Sequence, residues 1–296
     1  MIRLSAAMPW ASLLLLLLIV ASSSGSYGAD IRLIVRGDDL GMTQGSLAAF
    51  EKAFNEGILT CASILVCAPW FEGAADLCRR NPTWCTGVHL ALVGEWRGYR
   101  WRPVLPWDKV SSLVDEDGFL YAYPDELWKH NPKIEEIEAE LRAQIKLALK
   151  KGLNIQYIDT HYMGPQDYPG LSEVIKKISL DYNLPISGSF GEKRVAGNIY
   201  RAPVEEKTAI AVKSLRELGP GLWLWVAHPG IDSPEQGALI HTEPGEVFEG
   251  GGVGKHRNAE TKALSSAEVR SVINEKGIQL ISYKDLSEKK QKGLEK

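Results

Sequence analysis

The chain has 296 residues, 45% of them hydrophobic, with 34 basic against 37 acidic side chains and a formal charge of -3. That balance excludes a disordered or collagen-like chain and offers no electrostatic footprint for bulk nucleic-acid binding. From Asp30 onward the length suits one large α/β domain or two small ones, and no linker divides it.

Residues 1–29 read as a signal peptide. Arg3 precedes a leucine-rich run from Leu13 to Val20, too short to span a bilayer comfortably, and the small polar stretch ASSSGSYGA follows. Ser23, Gly25 and Ala29 are candidate last residues before cleavage, which would make the protein exported; the alternative is an uncleaved anchor. IRLIVRG then predicts a buried strand, SLAAFEKAFNEG a helix ended by Gly57, ILTCASILV a second strand, FEGAADLCRRN a helix and TGVHLAL a third strand. Val93 to Pro132 is a long, aromatic, proline-containing excursion that breaks this rhythm. Beyond it, IEEIEAELRAQIKLALKKG is helical, NIQYIDTH a strand, YPGLSEVIKKISLDYN a helix and LPISGSF a strand. VEEKTAIAVKSLRELG predicts a helix, GLWLWVAH a strand, AETKALSSAEVRSVINEKG one helix and IQLISY a last strand. Residues 287–296 read as a flexible charged tail after a domain covering 30–286. The expected fold class is α/β: a single-domain, distorted parallel (β/α) barrel, TIM-barrel-like.

Four cysteines, Cys61, Cys67, Cys78 and Cys85, fall in one short stretch without zinc-ribbon spacing. Cys61 and Cys67 are too far apart along a strand to bridge each other. Cys78 and Cys85 flank a turn and could meet, with buried free thiols the equal alternative.

In a parallel barrel the C-terminal strand ends open onto one face. Asp38 and Asp39 follow the first strand, His89 lies near the end of the third, Asp159 and His161 end the fourth, and His228 ends GLWLWVAH. Two adjacent carboxylates after a buried strand repel each other, and burial raises their pKa unless a cation or hydrogen bonds compensate. Asp39, His89 and His161 could hold one divalent metal ion, Zn²⁺ or Mg²⁺, leaving Asp38 free to take a proton. His228, before the Pro229-Gly230 turn and across the pocket, is the expected proton donor to a leaving group. His130, His241 and His256 lie in loop-like sequence and read as surface residues. The excursion's aromatic residues, Trp96 and Trp101 among them, could stack on sugar rings or fill a core. Trp223 and Trp225 read as packing.

GDDLG, GVHLAL, IDTH, HPG and RNAE, in that order, resemble the motifs of the YdjC/ChbG carbohydrate deacetylases over nearly the whole chain after Asp30. The resemblance implies a distorted (β/α) barrel and hydrolysis of N-acetyl groups on amino sugars. It assigns Asp39, His89 and His161 as metal ligands, Asp38 as base and His228 as acid, with Arg257 of RNAE joining Trp96 and Trp101 on the substrate side. The chain departs from the family pattern twice: IDTHYMG replaces a run of further histidines, and Arg36-Gly37 stands where a small polar residue is common. The expected partner is an acetylated amino sugar or oligosaccharide, with no nucleic acid, no stable membrane span after cleavage, and homodimerisation left open. A carbohydrate-binding protein that keeps the barrel without catalysis is the alternative reading.

Overall fold

The computed structural model describes residues 30–163, 168–241 and 252–291. In chain order the elements are β1 (Ile31–Leu40), α1 (Gln44–Asn55), β2 (Cys61–Ile64), α2 (Phe71–Arg80), β3 (Cys85–Ala91), β4 (Trp96–Arg97), α3 (Pro124–Lys129), α4 (Ile134–Lys150) and β5 (Ile155–His161). There follow α5 (Leu171–Tyr182), β6 (Lys193–Arg194), α6 (Lys207–Arg216), β7 (Gly221–Ala227), α7 (Pro234–Gly237), β8 (Ile240–His241), α8 (Val253–Leu264), α9 (Ala267–Glu275), β9 (Gln279–Leu280) and α10 (Tyr283–Gln291). The expected signal peptide lies outside the described residues. α10 runs across the expected boundary at 286, and the rest of the expected tail, from 292, lies outside them too.

The main sheet has the order β5-β3-β2-β1-β7-β6, with β9 added against β1, and its strands pair in parallel. Helices cover its outer face, giving the distorted (β/α) barrel expected from the alternating pattern. Side-chain alternation sorts the strands into two cores. Leu33 and Val35 of β1 face the helices. Ile34 joins Cys61, Cys85, Tyr157, Leu224 and the α10 residues Tyr283 and Leu286 in a smaller cluster that fills the barrel floor. Above that floor the same inward face carries polar residues, and there the site begins.

The sheet differs from the sequence expectation in three places. LPISGSF forms only a bridge from Ile186 to Ile158, because Gly188 turns the chain with a φ of 90°. IQLISY contributes just the two residues of β9. The single helix expected over AETKALSSAEVRSVINEKG is two, since Ser266 caps α9 by accepting from the Val269 N–H and so ends the preceding turn. The aromatic excursion is anchored to the barrel: Trp96 of β4 pairs antiparallel with His241 of β8, Tyr99 donates to the Met42 carbonyl, and Trp101 donates to the Val93 carbonyl.

All four cysteines are free. Cys61 faces Cys85 across β2 and β3, whereas Cys78 lies on α2; of the two readings left open for Cys78 and Cys85, buried free thiols are the one found. Trp225 is buried in the core and Trp223 packs against it, as expected. Among the described residues no helix is long and apolar enough to cross a membrane.

Candidate active site

A regular strand would send Asp38 and Asp39 to opposite faces. β1 avoids this with a bulge: Gly37 pairs with Ala62 and Leu40 with Ile64, three steps on β1 against two on β2. Asp39 takes up the extra residue in the left-handed region, φ 68°, which aspartate tolerates better than most side chains. Both carboxylates consequently line one cavity of about 330 Å³, together with His89, Glu95, His161, Tyr200, Arg201, His228, His241 and Arg257.

Three donor atoms face one another inside it. Asp39 Oδ1 is 3.1 Å from His161 Nδ1 and 3.4 Å from His89 Nε2, and the two imidazole nitrogens are 3.3 Å apart. Asp39 Oδ1 is buried and faces these two imidazole nitrogens. A tetrahedral ion with bonds near 2.0–2.1 Å places its ligand atoms about 3.3 Å from each other, so this triangle has the dimensions of three corners of such a shell. Each of the three side chains is also held from behind: His89 Nδ1 lies 3.0 Å from Asp159 Oδ2, His161 Nε2 lies 2.9 Å from Glu95 Oε2, and Arg257 Nη2 donates to Asp39 Oδ2 at 2.6 Å. Carboxylate partners of this kind fix ring orientation in metal centres.

Electrostatics follow from these contacts. Burial opposes a charged imidazole, yet Asp159 and Asp38 push His89 up to about 9, and Glu95 and Asp39 push His161 up to about 10. For Asp39, burial opposes ionisation but Arg257 and His161 hold the carboxyl well below its usual range. Asp38 is likewise buried and lowered, chiefly by Arg36, whose Nε and Nη2 grip its two oxygens at 2.7 Å each.

His228 enters beside Asp38 rather than across the pocket, because β7 is the immediate neighbour of β1. Its backbone N–H donates to Glu260 Oε2 at 2.7 Å and its Nδ1 lies 3.7 Å from the same oxygen. Glu260 is fully buried and sits 3.5 Å from Lys207 Nζ, which also donates to the carbonyls of Ile199 and Tyr200. The glycine of HPG is needed at this contact, since a Cβ on Gly230 would fall 2.9 Å from the Arg257 Cβ.

Trp96 and Trp101 stand behind the site. They are 1% and 3% exposed and do not line the cavity: Trp96 packs under the Arg257 guanidinium and Trp101 packs edge-on to the His161 ring. Arg257, also expected on the substrate side, lines the cavity while bound to Asp39. The surface reading of His241 is corrected: it is 4% exposed and lines the cavity, because β8 folds it against Trp96. His130 is exposed and stacked on Tyr121, and His256 is half-buried on α8. The sequence reading gave no role to Glu95, Arg36 or Glu260. Glu95 lies in an aperiodic segment, but Arg36 and Asp38 are two apart on a strand and therefore on one face, a signal the sequence does carry.

Fold and site together define a parallel (β/α) barrel with a carboxylate-imidazole cluster at the C-terminal ends of its strands. Residues 32–275 match the family described as YdjC-like protein, and the chain belongs to that family. Its relatives include a carbohydrate deacetylase of Brevibacillus brevis, 28% identical over 86% of this chain and 100% of the relative. A carbohydrate deacetylase of Enterococcus faecalis is 27% identical over 86% of this chain and 98% of its own. Among solved structures, an Enterococcus faecalis protein assigned to cellobiose-phosphate cleavage superposes with a TM-score of 0.69 at 24% identity, covering 87% of this chain and 99% of that one.

Proposed function

We propose that the protein is a metal-dependent hydrolase that removes N-acetyl groups from acetylated amino sugars or oligosaccharides. The observation that carries this reading is the triangle of Asp39, His89 and His161, sized for one divalent ion and backed on every side by a charged partner. The names of its relatives supply the substrate class. A divalent ion held there supplies Lewis-acid polarisation of the acetamide carbonyl and lowers the pKa of water.

In this reading Asp38 accepts the proton of the attacking water; its support is that Arg36 keeps it ionised in a buried setting and each carboxylate oxygen retains a lone pair beyond the one Arg36 engages. As the C–N bond breaks, His228 gives a proton to the departing amine, leaving acetate and the free amino sugar. Glu260 and the Pro229-Gly230 turn hold His228 at the cavity. Arg257 keeps the outer oxygen of Asp39 occupied, so that the inner one stays directed at the imidazoles. The test is acetate release from a panel of acetylated sugars, N,N′-diacetylchitobiose included, before and after chelation and after Zn²⁺ or Mg²⁺ is returned. Release that survives complete chelation overturns the metal assignment.

Export belongs to the same proposal and rests on the leucine-rich run after Arg3. Secretion of the full-length chain should yield a mature N-terminus following Ser23, Gly25 or Ala29; an intact Met1 on the secreted protein would contradict cleavage.

A further inference from the structure

Arg36 is 5% exposed, one of the few cations the barrel interior holds. Burying a guanidinium is costly unless its donors are matched, and here they are matched to an unusual degree. Nε and Nη2 engage both oxygens of Asp38; Nη1 lies 3.0 Å from Asp159 Oδ2 and donates to Ser187 Oγ at 2.6 Å. Ser187 is in turn hydrogen-bonded to the Tyr283 hydroxyl from the plug of the barrel floor. Asp159 Oδ2, besides meeting Arg36, lies 3.0 Å from His89 Nδ1 and accepts from Ser63 Oγ at 3.1 Å. One guanidinium therefore joins the carboxylate next to Asp39 with the carboxylate that orients His89.

Asp38, His89 and Asp159 also bring their donor atoms close enough together to hold a cation of their own. Arg36 already fills that position with a fixed charge in planar, two-pronged contact, the geometry a lysine cannot reproduce. Without it the buried carboxylates of Asp38 and Asp159 would have only the His89 imidazole between them, and Asp159 would lose the second of the two charged groups that fix its place.

From this geometry we infer that Arg36 is a positioning residue: a built-in cation that locks Asp38 and, through Asp159, the His89 ring, and that limits the centre to one exchangeable ion. The inference rests on the ligand set proposed above. It extends that reading to a residue outside the ligand set.

The experiment measures Zn²⁺ affinity and stoichiometry by competition with a chromophoric chelator on the full chain, for wild type, Arg36→Ala, Arg36→Lys and His161→Ala, with thermal melts to establish folding. Wild type should bind one equivalent, and Arg36→Ala should lose on the order of 10–100-fold in affinity, the usual cost of removing a group that orients a ligand. Millimolar guanidinium ion should restore much of that loss in Arg36→Ala and do nothing for His161→Ala. Arg36→Lys, which keeps the buried charge, should fold yet remain weaker than wild type. If Arg36→Ala fails to fold, Arg36→Lys alone decides. A folded Arg36→Ala with wild-type affinity, or a lysine variant equal to wild type, overturns the inference while leaving the ligand set intact, provided His161→Ala has lost its Zn²⁺. Undiminished affinity in His161→Ala as well overturns the ligand set itself.

Discussion

Asp38 and His228 reach the cavity from neighbouring strands, and their surroundings differ, in keeping with the different work proposed for them. Asp38 is sealed at 4% exposure between Arg36 and the imidazoles, whereas the His228 side chain is 20% exposed and lies within ion-pair range of Glu260. Asp38→Asn preserves volume but cannot accept a proton, so it should retain Zn²⁺ and lose turnover by about 10²–10⁴-fold; acetate release near the wild-type rate would remove Asp38 from the role. His228→Ala should lower kcat more than it raises KM and leave metal content unchanged, because no atom of His228 belongs to the Asp39, His89 and His161 triangle. Metal loss in that variant would instead move His228 into the coordination shell. The paired aspartates and the histidines were legible in the sequence because each ends a strand of recognisable pattern. Glu95 and His241 were not, since they are brought in by β4 and β8, two-residue strands too short to carry any periodicity.

At the scale of elements, the site depends on how closely β3 and β5 approach. His89 pairs with Asp159 and Gly87 with Tyr157 in the ladder between these strands, and a Cβ on Gly87 would sit 2.4 Å from the Tyr157 ring. Gly87→Ala must therefore push that ring or spread the strands, and overpacking of this sort costs about 1–3 kcal/mol. A urea midpoint lowered to match, with weakened Zn²⁺ binding, is the expected outcome; an unchanged midpoint would mean that the ring moves aside freely. The alternation of strand and helix was readable from composition and period, and so was α4, whose Ile137, Leu141, Ile145 and Ala148 are all buried. The division between α8 and α9 turned on the cap at Ser266, and the LPISGSF strand is cut short by the turn at Gly188. A period count cannot see either effect, because each is decided by a single residue.

Across the whole molecule, the site is a problem of charge. Asp38, Asp39, Glu95 and Asp159 are buried around it and two guanidiniums, Arg36 and Arg257, answer them, which leaves two negative charges to be met by a divalent ion or by two protons on the imidazoles. In the metal-free protein the raised values of His89, about 9, and His161, about 10, indicate the protons. Zn²⁺ uptake near pH 7.5 should accordingly release about two protons, measurable in weakly buffered solution with an indicator dye; release of none would contradict the charge count. Because both folded values lie above the ordinary 6.5, the stability these histidines contribute without metal is complete below pH 6.5 and is lost as pH rises through 9 to 10. Urea unfolding of the chelated protein should show that fall, and Zn²⁺ should flatten it. A chelated protein equally stable at pH 6.5 and 10 would show the imidazoles to be neutral throughout.

The bulge in β1 works as a shift of phase. Residues before it alternate in one register, those after it in the other, and Asp39 joins Arg36 and Asp38 in serving one chamber only because of the extra residue between Gly37 and Leu40. Chemistry here is thus written partly in counting: deleting one residue from GDDLG would turn a carboxylate outward even if every remaining letter were kept, and no point substitution could turn it back.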